Sequence, residues 1–131
     1  MKNLDYIAAK SGNEILNNLE IDAKELEKLI NDTLLVLHGD GVYACILYLY
    51  ARDKKKGQIT NNIVKGLLST AGNALQIKLE DLDTKMQKSE DVLNLVNETI
   101  CNNPDFLFLV KDLWERILVY ARYGAKARVK K

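Results

Sequence analysis

The stretch IDAKELEKLINDTLLVLHGDGVYACILYLYARDKKKG, Ile21 to Gly57, decides how the rest of the chain is read. It opens with Asp22 placed to cap a helix, Glu25 at the reciprocal capping-box position, and Ile21 able to staple against Leu26. Leu26, Leu29, Ile30, Thr33, Leu34 and Leu37 then recur at spacings of three and four, the period of one helix face. Gly39 offers a left-handed stop, and Asp40 is placed to cap a following helix. From Val42 to about Lys55 the chain is apolar nearly all round. That pattern predicts the most buried helix, with Tyr43, Cys45, Ile46, Leu47, Leu49 and Tyr50 inside. Arg52, Lys54, Lys55 and Lys56 gather where that helix surfaces, before Gly57 ends it. The segment reads as two helices, a tight joint and a basic exit.

His38, the only histidine, falls in the last turn of the first of these helices, where an imidazolium favours the carbonyl end of the dipole. HGDG is thereby explained as helix end, stop and cap. A catalytic reading lacks partners. No serine or cysteine stands nearby in a nucleophile motif, and no arginine precedes His38 as the HEPN ribonuclease pattern requires. GDG lacks both the preceding strand and the following GK[ST] of a phosphate loop.

The same periodicity extends in both directions, and the chain has one proline. It predicts an all-α fold, a single domain over residues 1–131 built as a bundle of five to six helices. A first helix runs from Asn3 to about Leu19, with KSGNE as a potential break. Thr60 is placed to cap a helix carrying Ile63, Val64, Leu67, Leu68 and Ala71 and continuing to Leu82, with Gly72 as a possible bend. Ser89 starts the next, which ends at CNN. Asn103 as cap, Pro104 in the first helical position and Asp105 by the positive dipole end mark the start of the last. Its apolar arc, from Phe106 and Leu109 to Tyr120 and Ala121 with Trp114 as an anchor, is expected to pack on the third helix. Lys111, Glu115, Arg122 and Lys126 set the opposite face, where Glu115 can pair with Lys111.

With 47% hydrophobic and 28% charged residues over 14.8 kDa, the chain can bury a core without metal or disulfide staples. Cys45 and Cys101 lie in apolar helical patterns without CxxC spacing, so they read as buried thiols, and neither a metal nor a cofactor is expected. The longest apolar run, Val42 to Ala51, is about half of the roughly 20 residues a membrane span needs. No apolar leader opens the chain. The expectation is a cytoplasmic protein without membrane contact.

A net charge of +1 conceals polarity. Residues 11–40 carry seven acids against Lys24 and Lys28, whereas residues 111–131 carry seven bases against Asp112 and Glu115. Lys111, Arg122, Lys126, Arg128, Lys130 and Lys131 form a basic stripe interleaved with Tyr120 and Tyr123. Such a stripe suits a phosphate backbone, since cations displace condensed counterions and tyrosines can stack on exposed bases. With Arg52, Lys54, Lys55 and Lys56 these are the candidate RNA-binding residues, provided the two clusters share a face.

Two segments resemble the small all-helical subunits of type III CRISPR–Cas effector complexes, the Csm and Cmr kinds. FLVKDLWERILVYARYGAKA, Phe108 to Ala127, resembles their terminal helix. There an apolar run passes into an alternation of tyrosine, alanine and a base, here Tyr120, Ala121, Arg122 and Tyr123. GVYACILYLYARDKKK, Gly41 to Lys56, is similar to a helix in those proteins that opens on glycine and closes on alanine and basic residues. The first forty residues do not clearly follow the family. The resemblance implies a non-catalytic subunit that lies beside guide and target RNA, binds them without reading sequence, and stacks with neighbouring subunits. By position it nominates Arg52, Lys54, Arg122 and Lys126 as RNA-facing. Self-association through an acidic N-terminal half against a basic face would fit such stacking.

Two other readings use the same residues. Tyr43 to Gly72 resembles the helical dimerisation domain of ribosomal stalk proteins, most clearly in the cadence of Ile59 to Gly72, but a basic helix follows here in place of an acidic hinge. Alternatively STAG is the turn of a DNA-binding helix-turn-helix with Asn73 to Leu82 as recognition helix, although Glu80 and Asp81 would face phosphates.

Overall fold

In the computed structural model, which describes residues 3–17, 21–52 and 57–129, the chain is all-helical, with no strand among those residues. The helices are α1 (Leu4–Asn17), α2 (Ala23–Asp40), α3 (Val42–Arg52), α4 (Gly57–Leu75), α5 (Leu82–Lys85), α6 (Ser89–Val96) and α7 (Pro104–Val129). A π-helical turn, Asn97–Cys101, prolongs α6. The all-α expectation holds, but among the described residues there are seven helices where five to six were expected. The extra helix is α5, which starts at Leu82, where the element read from Thr60 onward was expected to end; α4 itself stops at Leu75. Gln76 takes a left-handed φ of 56°, and the Ile77 N–H donates back to the Gly72 carbonyl at 3.1 Å. This is the hydrogen bond that closes a helix C-terminus, and Ile77 buries itself as the chain reverses. Thr60 is no cap either: it lies inside α4 and its hydroxyl donates to the Leu49 carbonyl at 3.3 Å.

Asp22 caps α2 as read, accepting from the Glu25 N–H at 3.4 Å, and Leu26, Leu29, Ile30, Thr33 and Leu37 are buried. The joint to α3 differs by two residues from the expectation. Gly39 stays helical, and Gly41, at φ 100°, ends α2 by donating to the Leu37 carbonyl at 3.0 Å. Its own carbonyl accepts from the Cys45 N–H at 3.0 Å, so Gly41 both closes α2 and opens α3, and Asp40 is the last residue of α2, not a cap. Only glycine takes that φ without strain, which is why the turn settles there.

α3 is less enclosed than its composition implies. Val42, Cys45, Ile46 and Leu49 are buried, but Tyr43 is 40% and Leu47 46% exposed, on a side of α3 that none of the described helices covers fully. α7 packs mainly on α1 and α2, not on α3 as expected. Small residues decide this. A Cβ on Gly12 would stand 2.9 Å from the Ile117 carbonyl oxygen, so α1 and α7 meet almost backbone to backbone. KSGNE is therefore the close-approach point of α1 and not a break. Leu109 and Tyr120 fall at the margin of the buried arc, 45% and 42% exposed. Trp114 is fully buried and its indole N–H donates to the Leu67 carbonyl at 2.8 Å, tying α7 to α4.

Helix directions follow from side-chain pairs. Arg116 with Asp5 and Arg128 with Leu16 make α1 and α7 parallel. Arg122 with Asn31 and His38 with Glu115 make α2 and α7 antiparallel. STAG lies within the unbroken α4, and α4 ends at Leu75, so neither the turn nor the recognition helix of a helix-turn-helix exists. Among the described residues no helix is long and apolar enough to cross a membrane.

Candidate nucleic-acid interface

The antiparallel packing brings the first half of α2 against the last third of α7. Lys24, Lys28 and Asn31 occupy one stripe of α2 at spacings of four and three, and Arg122 and Lys126 one stripe of α7 at a spacing of four. With Glu27 and Tyr123 they line an open groove of about 500 Å³. Four cations thus meet one carboxylate. Among the described residues none of the four has an acid within ion-pair distance. Arg122 is held by a neutral partner, its guanidinium donating to the Asn31 side-chain oxygen at 3.3 Å. An amide acceptor orients the guanidinium without cancelling its charge, which leaves the groove cationic. The same guanidinium lies over the Tyr123 ring, 5.1 Å from its centroid. Tyr123 is nonetheless 59% exposed.

The remaining candidates divide. Arg52 donates to Asp32 Oδ2 at 3.0 Å and to the Tyr48 hydroxyl at 2.8 Å. Asp32 follows Asn31 on α2, so Arg52 and Arg122 bind the same helical turn from two sides. They share a level of the bundle but not the groove. Lys111 lies fifteen residues before Lys126 on α7, roughly 22 Å along the axis at about 1.5 Å per residue. Arg128 is exposed but reaches across to the end of α1. It donates to the Leu16 carbonyl at 3.0 Å and the Asn17 side-chain oxygen at 2.6 Å, giving acceptors in the last turn of α1 a cationic partner. Lys54, Lys55, Lys56, Lys130 and Lys131 lie outside the described residues.

Lys24 and Lys28 were not among the expected site residues, because they sit in the segment where acids outnumber bases. Their spacing of four, continued by Asn31, is the signal that a regional charge count hides. Glu115 does not pair with Lys111 but faces His38, with Oε2 3.7 Å from Nδ1. Among the described residues no group of three or more histidine, cysteine or acidic side chains is arranged to hold a metal ion. Burial pushes the Cys45 thiol up to about 12, and it raises Cys101 as well against a backbone hydrogen bond from Tyr43. Neither sulfur is activated as a nucleophile. Set against known proteins, the chain matches no family model, no curated protein and no solved structure.

Proposed function

We propose that the protein is a non-catalytic subunit of a ribonucleoprotein assembly that holds RNA by its phosphodiester backbone in the α2–α7 groove. The observation carrying this reading is the convergence of Lys24, Lys28, Arg122 and Lys126 with, among the described residues, only Glu27 between them. Neutralising phosphates releases counterions, so four contacts to a single strand give a log-affinity against log-salt slope of about −3. Every nucleotide carries the same phosphate, so binding through it is indifferent to sequence. The resemblance of Gly41 to Lys56 and of Phe108 to Ala127 to type III CRISPR small subunits names the kind of assembly, with guide and target RNA as ligand and neighbouring subunits as partners. The exposed apolar side of α3, Tyr43 and Leu47, supports a protein contact of that sort. It equally favours a second reading, a homodimerising scaffold module.

The test is retention of fluorescein-labelled RNA by the wild type and by Arg122→Glu with Lys126→Glu. Each neutralised phosphate is worth roughly fourfold at physiological salt, and reversing a charge about doubles that effect in free energy, so the double variant should lose on the order of a hundredfold. Undiminished affinity in a folded variant sinks the proposal. A dimer in analytical ultracentrifugation that Leu47→Glu dissociates, with no affinity for polyanions, selects the scaffold reading instead.

A further inference from the structure

We infer that the α2–α7 groove takes an unpaired strand, with Tyr123 as the platform on which one base stacks. This rests on reading the groove as a polyanion site and specifies which nucleic acid it holds. A purely electrostatic groove has no use for an exposed phenol ring, yet Tyr123 lines it beside Arg122 and Lys126. The Arg122 guanidinium covers the ring at 5.1 Å from its centroid, while its amide partner Asn31 fixes the guanidinium from α2. One face lies under the guanidinium, and 59% of the residue is still exposed, which leaves ring surface for a base to meet. The ring is thus backed by a cation and oriented before any ligand arrives, which lowers the ordering cost of stacking.

Lys126 is on the next turn of α7, and Lys24 and Lys28 stand across the groove. A phosphate held by these lysines brings its attached nucleotide beside the open ring. In a duplex both faces of each internal base are already stacked on neighbours, so the ring has nothing to receive. An unpaired base has a free face, and every base has one, so stacking adds affinity without adding sequence preference.

The experiment uses three probes of equal phosphate number: a uridine oligomer, an RNA duplex, and an abasic ribose-phosphate oligomer, each titrated by fluorescence anisotropy at low salt. The wild type should bind the uridine oligomer about tenfold more tightly than the abasic one, the gain expected from one stacked base. Tyr123→Ala should remove that gain, so that the uridine and abasic oligomers bind alike, while Tyr123→Phe should restore the difference, since the ring and not the hydroxyl is used. Thermal melting checks that the variants fold. If the wild type binds all three probes alike and Tyr123→Ala changes none of them, the stacking inference falls and the backbone reading stands. If the wild type binds none of the probes, the backbone reading falls and takes this inference with it.

Discussion

α7 carries arginines on two sides, and the neighbouring helix determines what each can do. Towards α1, Arg116 is shared between Asp5 at 2.7 Å and Asp112 at 3.3 Å, and Arg128 caps the end of α1. Towards α2, Arg122 meets an amide and Lys126 meets open groove. The α1 side is also the tighter seam, with Gly12 admitting no Cβ, whereas the α2 side leaves a cavity large enough for a ligand fragment. The same residue types on one helix therefore work as structure on one side and stay available on the other. Composition alone cannot make that distinction.

Stability is expected to reside in the tight α1 side of α7. Trp114→Ala removes the largest buried side chain and its hydrogen bond to α4, and should cost about 3–5 kcal/mol by chemical denaturation. Gly12→Val must push α1 off α7 and should cost about 2–3 kcal/mol, with a denaturant midpoint to match. A wild-type midpoint for Gly12→Val would mean the seam is loose and the contrast false. Arg128→Ala, at a partly exposed site, should lower stability by no more than about 1 kcal/mol while leaving RNA retention nearly unchanged. Arg122→Gln is the counterpart on the open side: stability within about 0.5 kcal/mol of wild type, but a weaker and less salt-dependent affinity for RNA. Finding the two arginines' effects exchanged would overturn the assignment of sides.

Alkaline pH sharpens the contrast between interior and groove. The Cys45 thiol is neutral in both folded and unfolded chains well below its ordinary value of 9.0. Between 9.0 and about 12 the unfolded chain loses the proton and the folded chain keeps it, so stability falls as pH rises through that window. Tyr50, raised from 10.0 to about 12 by burial, adds to the loss over the upper part. Cys45→Ala should flatten the decline of the denaturation midpoint above pH 9. Its hydroxyl buried without a hydrogen-bond partner among the described residues, Tyr50→Phe should be neutral or stabilising, the smallest change in this series.

Local chemistry was the legible part of the sequence. Asn103 accepts from the Asp105 and Phe106 N–H groups at 3.0 and 3.3 Å, as its place before Pro104 implies, and Asp22 behaves likewise. The buried face of α2 follows its spacing. What was not legible depends on three-dimensional neighbours. Gly39 and Gly41 are equally good stops on paper, and only the reversal into α3 selects Gly41. Tyr43 and Leu47 look internal until α7 is seen to prefer the glycine-bearing α1. Of the basic residues, the pattern put Arg122 and Lys126 on one stripe of a helix, but it could not know that Arg128 would bend back to α1 or that Lys24 and Lys28 would arrive from an acidic segment.

The parallel course of α1 and α7, locked where Arg128 meets Leu16, has a practical corollary for anyone fusing a reporter to this polypeptide. A moiety appended beyond Val129 emerges at the pole that holds Lys24, Lys28 and Lys126, where it would crowd any incoming strand. One attached ahead of α1 starts roughly 21 Å away along that fourteen-residue helix. Immobilisation through the amino-terminal side keeps the cationic pole facing solution.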